Sequence, residues 1–241
     1  MSPDEFIQEL KALGTRYRAD HEKRYLKSSA PFFGVTVPDT RRLTAPVASA
    51  FKQSGDLRGA ITFGTALWST GAHEPKLAAA IIVSQCEAFY DDRVWRLGRA
   101  WLNDIDNWAL CDGIAPNLVG PFVCVSRRNH KSRRKEILRW TRDENPWIRR
   151  GALLATARSI RDAHEYQFTF DVCGKLLGDP DYFVQKALGW MLRECAHHNP
   201  REVITFIQRH RANMRKSTIT NAVSRLPKTL QRAARSGQAG I

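Results

Sequence analysis

The 241 residues are 43% hydrophobic and include 38 lysines and arginines against 24 aspartates and glutamates, which gives a formal net charge of +14. This hydrophobic fraction can build a sizeable core and argues against global disorder, and the lack of an apolar run of about eighteen residues argues against a membrane span. The positive charge calls for a polyanionic partner, of which nucleic acid is the usual one. No membrane partner is expected.

Apolar residues recur at helical spacing through most of the chain, and the alternation typical of strands is nearly absent. The predicted helices span 4–18, 40–53, 57–70, 74–89, 93–102, 107–126, 131–142, 146–161, 165–177, 180–197, 200–211 and 216–225. Several begin with an N-cap residue followed by proline, as at Asn145-Pro146 and Asp179-Pro180, a sequence typical of helix starts. The sequence therefore predicts an all-α protein.

Two of these helix starts are similar to each other. Both segments, 145–154 and 179–190, contain the same order of residue types. A cap residue and a proline come first, and an aromatic, a β-branched, a polar, a basic and a small or apolar residue follow. Related starts near Pro75 and Trp108 give a period in the high thirties, which is typical of HEAT-like repeats that stack as antiparallel helix pairs into an α-solenoid. We expect one repeat domain over 1–226 with a concave, basic DNA-binding groove, followed by a basic and flexible tail over 227–241.

The five cysteines are odd in number, irregularly spaced and without a CxxC pair, which indicates reduced thiols in a cytoplasmic protein. The first residues carry acids and no apolar stretch, unlike a secretory signal. Cys195, His197 and His198 offer too few ligands for a tetrahedral metal site. We expect neither a metal nor another cofactor, and a location in the bacterial cytoplasm or nucleoid.

Four segments carry a family resemblance. They are RYLK at 24–27 continuing to FGVTVP at 33–38 and Arg41-Arg42, NWALCD at 107–112, WIRR at 147–150, and FVQKALGWMLRE at 183–194. Together they resemble the AlkD family of DNA alkylation repair glycosylases, which are built from HEAT-like repeats. The resemblance covers roughly 20–225, and the segment 183–194 is its most specific part.

The resemblance implies a function and a site. Enzymes of this family hydrolyse the N-glycosidic bond of cationic N3- and N7-alkylated purines, of the 3-methyladenine and 7-methylguanine type, in duplex DNA. Their catalytic carboxylate lies between two tryptophans, which implies that Asp112 is the carboxylate and that Trp108 and Trp190 are the tryptophans. By the same resemblance Arg150 holds the DNA backbone near the lesion and Tyr25 lies at the same cleft.

The reaction explains these residue types. Cleavage builds oxocarbenium character on the sugar, and ordinary glycosidases therefore use two carboxyl groups. A cationic purine already carries its leaving-group charge, so that one carboxylate suffices to stabilise the sugar cation and to orient water. Indole rings attract cations by about 0.5–2 kcal/mol each. Trp108 and Asp112 are four residues apart and would share one helix face.

The remaining candidates are DNA-binding residues. Basic side chains at inner-helix positions fit phosphate contact rather than base reading, which predicts lesion specificity with little sequence specificity. The candidates are Tyr25, Lys27, Thr36, Arg41, Arg42, Arg149, Arg150, Lys186 and Arg193. The chain departs from a family member at Thr36-Val37, where that member has Gln-Thr. A dense basic run at 127–135 is either a solvated interhelical loop or a DNA clamp.

Two other functions stay open at this point. Trp108 taken alone would be a core residue, and Asp112 could simply accept a hydrogen bond. The alternative to a glycosylase is a non-catalytic HEAT-like protein that binds damaged or unusual DNA. A scaffold for an acidic protein would explain the charge, but not the two tryptophans and the aspartate. The leading expectation is a monomeric enzyme that acts on duplex DNA containing alkylated purines.

Overall fold

The computed structural model describes residues 1–127 and 129–236, and all regular structure within these ranges is helical. The first helices are α1 (Pro3–Ala12), α2 (Arg16–Leu26), α3 (Val37–Ser54), α4 (Leu57–Trp68), α5 (His73–Ser84), α6 (Asp92–Asn103), α7 (Trp108–Ile114) and α8 (Gly120–Val123). They are followed by α9 (His130–Trp140), α10 (Pro146–Ala155), α11 (Ala157–Ala163), α12 (Gln167–Lys175), α13 (Tyr182–His198), α14 (Pro200–His210), α15 (Lys216–Ala222) and α16 (Lys228–Ser236). The predicted all-α class is confirmed.

The chain divides into two compact units, residues 1–118 and the residues from 119 onward. In the first unit, α5 packs against both α3 and α4. Its core contains the fully buried side chains of Leu67, Ile82 and Leu102. The indoles of Trp68 and Trp101 stack at 4.3 Å between ring centroids, which links α4 to α6.

In the second unit, α13 is the central helix and packs against α10, α14 and α15. Ile148 and Leu153 on α10 and Leu188 and Met191 on α13 are fully buried. Pairwise packing of successive helices agrees with the HEAT-like arrangement predicted from the repeats.

Helix starts agree with the sequence in most places. Asn107, Asn145 and Asn199 each cap the helix that follows. The predicted start at Asp179 was wrong by two residues, because the carboxylate of Asp181 accepts the first backbone N–H groups of α13. Asp179 instead forms an ion pair with Arg149.

The predicted helix over 4–18 is two helices, α1 and α2. The chain turns at Gly14, where an added Cβ would collide with the carbonyl of Phe33, and Thr15 then caps α2. This close approach of two backbone segments requires glycine at the turn between the two helices.

The tail was predicted to be flexible from 227, but 228–236 form α16. This helix packs against α14 and α15, and Gln231 and Ala234 are buried there. The Gln231 amide donates to the carbonyl of Leu226 at 2.8 Å. The part of the predicted tail at 237–241 lies outside the described residues, as does Arg128 of the basic run.

All five cysteines are buried free thiols, as expected. No helix among the described residues is long and apolar enough to span a membrane. Within the same ranges, no group of three or more His, Cys, Asp or Glu side chains is arranged to hold a metal ion.

Candidate functional site

Helix α7 presents Trp108 and Asp112 on one face. The Asn107 side chain caps this helix by accepting the backbone N–H of Leu110 at 3.2 Å. Leu110, Cys111 and Ile114 are buried, and Trp108 and Asp112 are half-buried. Because residues four apart lie on the same side of a helix, the indole and the carboxylate share a face that solvent reaches.

The chain continues from α7 into a π-helical turn, Ala115–Val119. The Asn117 amide within this turn donates to the carbonyl of Gly113 at 2.8 Å. Turns of this kind inside helices frequently mark functional sites. Here the turn follows directly after the helix that carries Asp112.

Trp108 lies against Tyr25 from the end of α2. The two rings meet edge to face, with centroids 5.9 Å apart and an angle of 80° between the ring planes. Tyr25 is 63% exposed, so most of its ring faces solvent. The structure therefore brings together Tyr25 and Trp108, two predicted site residues that are far apart in sequence.

The Asp106 carboxylate fixes the chain after α2 to the start of α7. It accepts hydrogen bonds from the Ser28 hydroxyl at 2.7 Å, the Ser29 hydroxyl at 2.8 Å and the Asn107 amide at 3.1 Å. Burial raises the pKa of Asp106, but the hydrogen bonds from Ser28 and Ser29 outweigh burial and lower the pKa to about 2. Asp106 is therefore ionised at neutral pH, and it positions Tyr25 beside Trp108.

A second buried carboxylate, that of Glu74 on α5, holds the loop before α3. It accepts the backbone N–H groups of Phe33 at 2.9 Å, Gly34 at 2.6 Å and Val35 at 3.0 Å, and Glu74 is only 2% exposed. Thr36 follows in this loop and caps α3 by accepting the N–H of Asp39 at 3.0 Å. The Thr36 side chain thus has a capping role in the folded chain.

The basic candidates of the first unit are exposed. Lys27 ends α2 in a left-handed conformation, with φ of 53°, and its side chain faces solvent. Arg41 and Arg42 are exposed on α3, where Arg42 pairs with Asp39 at 2.9 Å. Arg41 and Lys52 line a groove of about 530 Å³ between α3 and α5.

In the second unit, Trp190 is half-buried on α13. Its indole N–H donates to the Glu194 carboxylate at 2.9 Å, which fixes the orientation of the ring. Lys186 is exposed, and its ammonium group lies 5.4 Å from the centre of the Tyr182 ring. Arg193 is half-buried and donates to the Asn221 side chain at 2.7 Å.

Arg149 and Arg150 have roles inside the second unit. The Arg149 guanidinium binds both carboxylate oxygens of Asp179, at 2.6 and 3.2 Å, and donates to the carbonyls of Asp143 and Glu144 at 2.8 Å. Arg150 is 4% exposed and donates to the Phe183 carbonyl at 2.6 Å. For Arg149 this buried ion pair differs from the phosphate contact expected from the sequence.

Comparison with known proteins identifies the family. The family model of DNA alkylation repair enzymes matches residues 6–226. The chain belongs to the DNA alkylation repair enzyme family. Its fold is similar to that of a predicted DNA alkylation repair enzyme from Enterococcus faecalis, with a TM-score of 0.73 and 18% sequence identity over 89% of this chain and 97% of that one. A search of curated protein sequences found no match.

Membership of the DNA alkylation repair enzyme family gives the protein a role in the repair of alkylated DNA, with DNA as its partner. This agrees with the net charge of +14, since neutralising phosphates requires lysine and arginine. The family resemblance stated from the four sequence segments is thereby confirmed.

Sequence reasoning missed the two carboxylates that shape the first unit of this DNA alkylation repair protein. Glu74 was interpreted as part of a helix start, and Asp106 was not singled out. The backbone groups that Glu74 binds lie 39 to 41 residues away in sequence, so that local pattern gave no signal. Asp106 immediately precedes Asn107, the cap of α7. An acidic residue at that position only weakly indicates a contact with a distant loop.

Proposed function

We propose that the protein is a DNA glycosylase that hydrolyses the N-glycosidic bond of cationic N3- and N7-alkylated purines in duplex DNA, as the first step of base excision repair. The observation that carries this proposal is the pair Trp108 and Asp112, one turn apart and half-exposed on α7, in a chain of the DNA alkylation repair enzyme family. Tyr25 extends the aromatic surface beside Trp108.

The proposed reaction needs one carboxylate. When the C1′–N bond breaks, its electron pair goes to the purine, which leaves as a neutral base, and the positive charge moves to the sugar. Asp112 stabilises this oxocarbenium ion and accepts a proton from the water that adds to C1′. No side chain has to protonate the leaving group, in contrast to glycosidases that act on neutral substrates.

The aromatic residues would favour charged substrates. An indole face attracts a cation through its ring quadrupole, by about 0.5–2 kcal/mol depending on desolvation. We assign this role to Trp108 from its place one turn before Asp112. For Trp190 the role rests on the family resemblance of the segment 183–194, and its hydrogen bond to Glu194 would keep the ring in one orientation.

The exposed basic residues would bind phosphates. Lys27, Arg41, Arg42 and Lys186 are exposed, as phosphate contact requires. Thr36, Arg150 and Arg193 would act through the loops and helices that they hold, and Arg149 is assigned to the interior. Because phosphate contacts carry no sequence information, the enzyme should recognise lesions in any sequence context.

The test is release of bases from methylated duplex DNA. Wild-type protein should release 7-methylguanine or 3-methyladenine, detected by chromatography, and Asp112→Asn should reduce the single-turnover rate by about 100-fold or more. Asp20→Asn, a change at an exposed carboxylate of the same unit, should leave the rate unchanged. Equal rates for wild type and Asp112→Asn would refute the role of Asp112. Tight binding of methylated DNA without any release would favour the non-catalytic alternative.

A further inference from the structure

The basic run on α9 separates into two sets with different surroundings. Arg133 pairs with Glu136 at 3.2 Å. Arg134 pairs with Glu165 at 2.6 Å, donates to the Val123 carbonyl at 2.8 Å and covers the Phe168 ring at 4.5 Å. Both side chains are largely buried, and they join α9 to its neighbours. These two arginines are therefore part of the packing of the second unit.

The other basic residues of this segment face solvent. Lys131, Lys135 and Arg139 are exposed at i, i+4 and i+8 of α9, and Arg142 is exposed in the turn that follows. The buried residues Ile137 and Trp140 lie on the other side of the helix. None of these four cations forms an ion pair with another residue in the described parts of the chain.

The spacing of these cations matches a regular polyanion. Residues four apart on a helix are separated by about 6 Å, so that the stripe extends over about 16 Å. Duplex DNA carries one negative charge per about 1.7 Å of its axis, and a surface of this length therefore faces several phosphates. Two acids adjoin the stripe in sequence: Glu136 is engaged with Arg133, and the Asp143 carboxylate accepts the backbone N–H of Asn145.

We propose that the α9 stripe, formed by Lys131, Lys135, Arg139 and Arg142, is a contact surface for the phosphate backbone of duplex DNA that acts without regard to lesions. The stripe holds the protein on undamaged DNA and thereby increases the time available to find a lesion. This inference rests on DNA as the partner in the proposed function, but it does not depend on the proposed reaction.

The surroundings of the stripe favour DNA over a lipid surface. A helix that binds a membrane inserts apolar side chains beside its cations, whereas Ile137 and Trp140 of α9 are buried in the second unit. Long, flexible lysine and arginine side chains without an ordered partner suit sequence-independent phosphate contact. An acidic protein is the other partner of matching charge, and the experiment separates the two.

The experiment compares two variants with equal charge loss. The stripe variant carries Lys131→Gln, Lys135→Gln, Arg139→Gln and Arg142→Gln. The control variant carries Lys175→Gln, Arg201→Gln, Arg211→Gln and Arg232→Gln, at exposed cations spread over other parts of the second unit. Binding to an undamaged duplex is measured by fluorescence anisotropy over a series of salt concentrations, and folding is checked by circular dichroism.

The stripe variant should bind undamaged duplex at least tenfold more weakly than the control variant at about 0.1 M salt. Its slope of log affinity against log salt should fall by about 3 to 4, as expected when that many phosphate contacts are lost. A smaller variant, Lys131→Gln with Lys135→Gln, removes two of the four charges and should lower the salt slope by about 2, which tests the surface even if the stripe variant does not fold.

Equal weakening in the stripe and control variants would show an effect of net charge alone and overturn the proposal. Undiminished DNA binding by a folded stripe variant would also overturn it, and would leave an acidic protein as the partner. Failure of the wild type to release any base would refute the proposed reaction while leaving the binding comparison valid.

Discussion

Two carboxylates hold loops of the first unit, whereas three guanidinium groups hold loops of the second. In the first unit, the carboxylates of Glu74 and Asp106 accept backbone N–H groups. In the second unit, the guanidinium groups of Arg134, Arg149 and Arg215 donate to backbone carbonyls. A charged residue in this fold can therefore hold a loop as readily as it can contact a ligand, and burial rather than spacing separates the two roles.

Both kinds of anchor act on backbone groups between helices. Glu74 accepts the N–H groups of residues 33–35, which lie before the Thr36 cap of α3. Arg149 donates to the carbonyls of Asp143 and Glu144, which lie between α9 and α10. Backbone groups in such loops have no partner within a helix, and a charged side chain can supply one.

The largest expected effect is at Arg149. Arg149→Met leaves the nearly buried carboxylate of Asp179 without its cation, and such a loss typically costs about 3–5 kcal/mol. Chemical denaturation should show this decrease in the free energy of unfolding, while DNA affinity of the folded protein changes less than about threefold. Arg201→Met, at an exposed arginine of α14, is the control. Unchanged stability with greatly weakened DNA binding would instead make Arg149 a phosphate contact.

Acid should destabilise the first unit through His73. Burial lowers the pKa of His73 to about 4 from 6.5, against the attraction of Asp106, and the ring stacks on Phe32 at 4.6 Å. Between pH 6.5 and 4 the unfolded chain binds a proton that the folded chain does not, so that stability falls as pH decreases, by up to about 3 kcal/mol. His73→Phe should remove this dependence in urea unfolding at pH 7, 5.5 and 4.

The control for this pH dependence is His21→Phe, at an exposed histidine of α2, which should behave like the wild type. If the free energy of unfolding fell equally with pH in wild type and His73→Phe, the pH dependence would not be due to His73. The depressed pKa of Asp106, about 2, adds a further loss of stability only as pH falls from 3.8 towards 2, because its carboxylate is stabilising above that range.

Glu74→Gln should have a smaller effect, a decrease of about 2 kcal/mol in the free energy of unfolding. The amide keeps one acceptor oxygen but loses the charge that strengthens the hydrogen bonds to the loop. Glu9→Gln, at an exposed position of α1, serves as the reference in the same denaturation experiment. A Glu74→Gln protein as stable as the reference would show that the loop is held by other contacts.

The smallest expected effect is at Ser28. Ser28→Ala removes the hydrogen bond to Asp106 and the one accepted from the Ala30 N–H, and leaves the other donors to Asp106 in place, which should cost about 1 to 1.5 kcal/mol. Chemical denaturation measures this decrease in the free energy of unfolding. The control is Ser29→Thr, which retains its hydroxyl. If the Ser28→Ala protein were as stable as this control, the hydroxyl of Ser28 would contribute little.

The sequence was sufficient to predict features with local signals. Helical spacing predicted the all-α class, and Asn145 was recognisable as a helix cap. The family resemblance led to the correct family. Features that depend on distant partners were not predictable, as the ion pair of Arg149 with Asp179 and the loop contacts of Glu74 show. The run at 127–135 looked uniform in sequence, yet Arg134 is packed inward and Lys135 faces solvent.

The central claim is that one carboxylate suffices because the substrate base already carries a positive charge. It is tested most directly by single-turnover release from two duplexes that differ at one position, one with 7-methylguanine and one with neutral hypoxanthine. The account predicts release of 7-methylguanine that depends on Asp112, and no measurable release of hypoxanthine. Equal rates for the two bases would contradict it, since a neutral purine needs a proton donor and none of the roles assigned to Asp112, Trp108 and Trp190 supplies one.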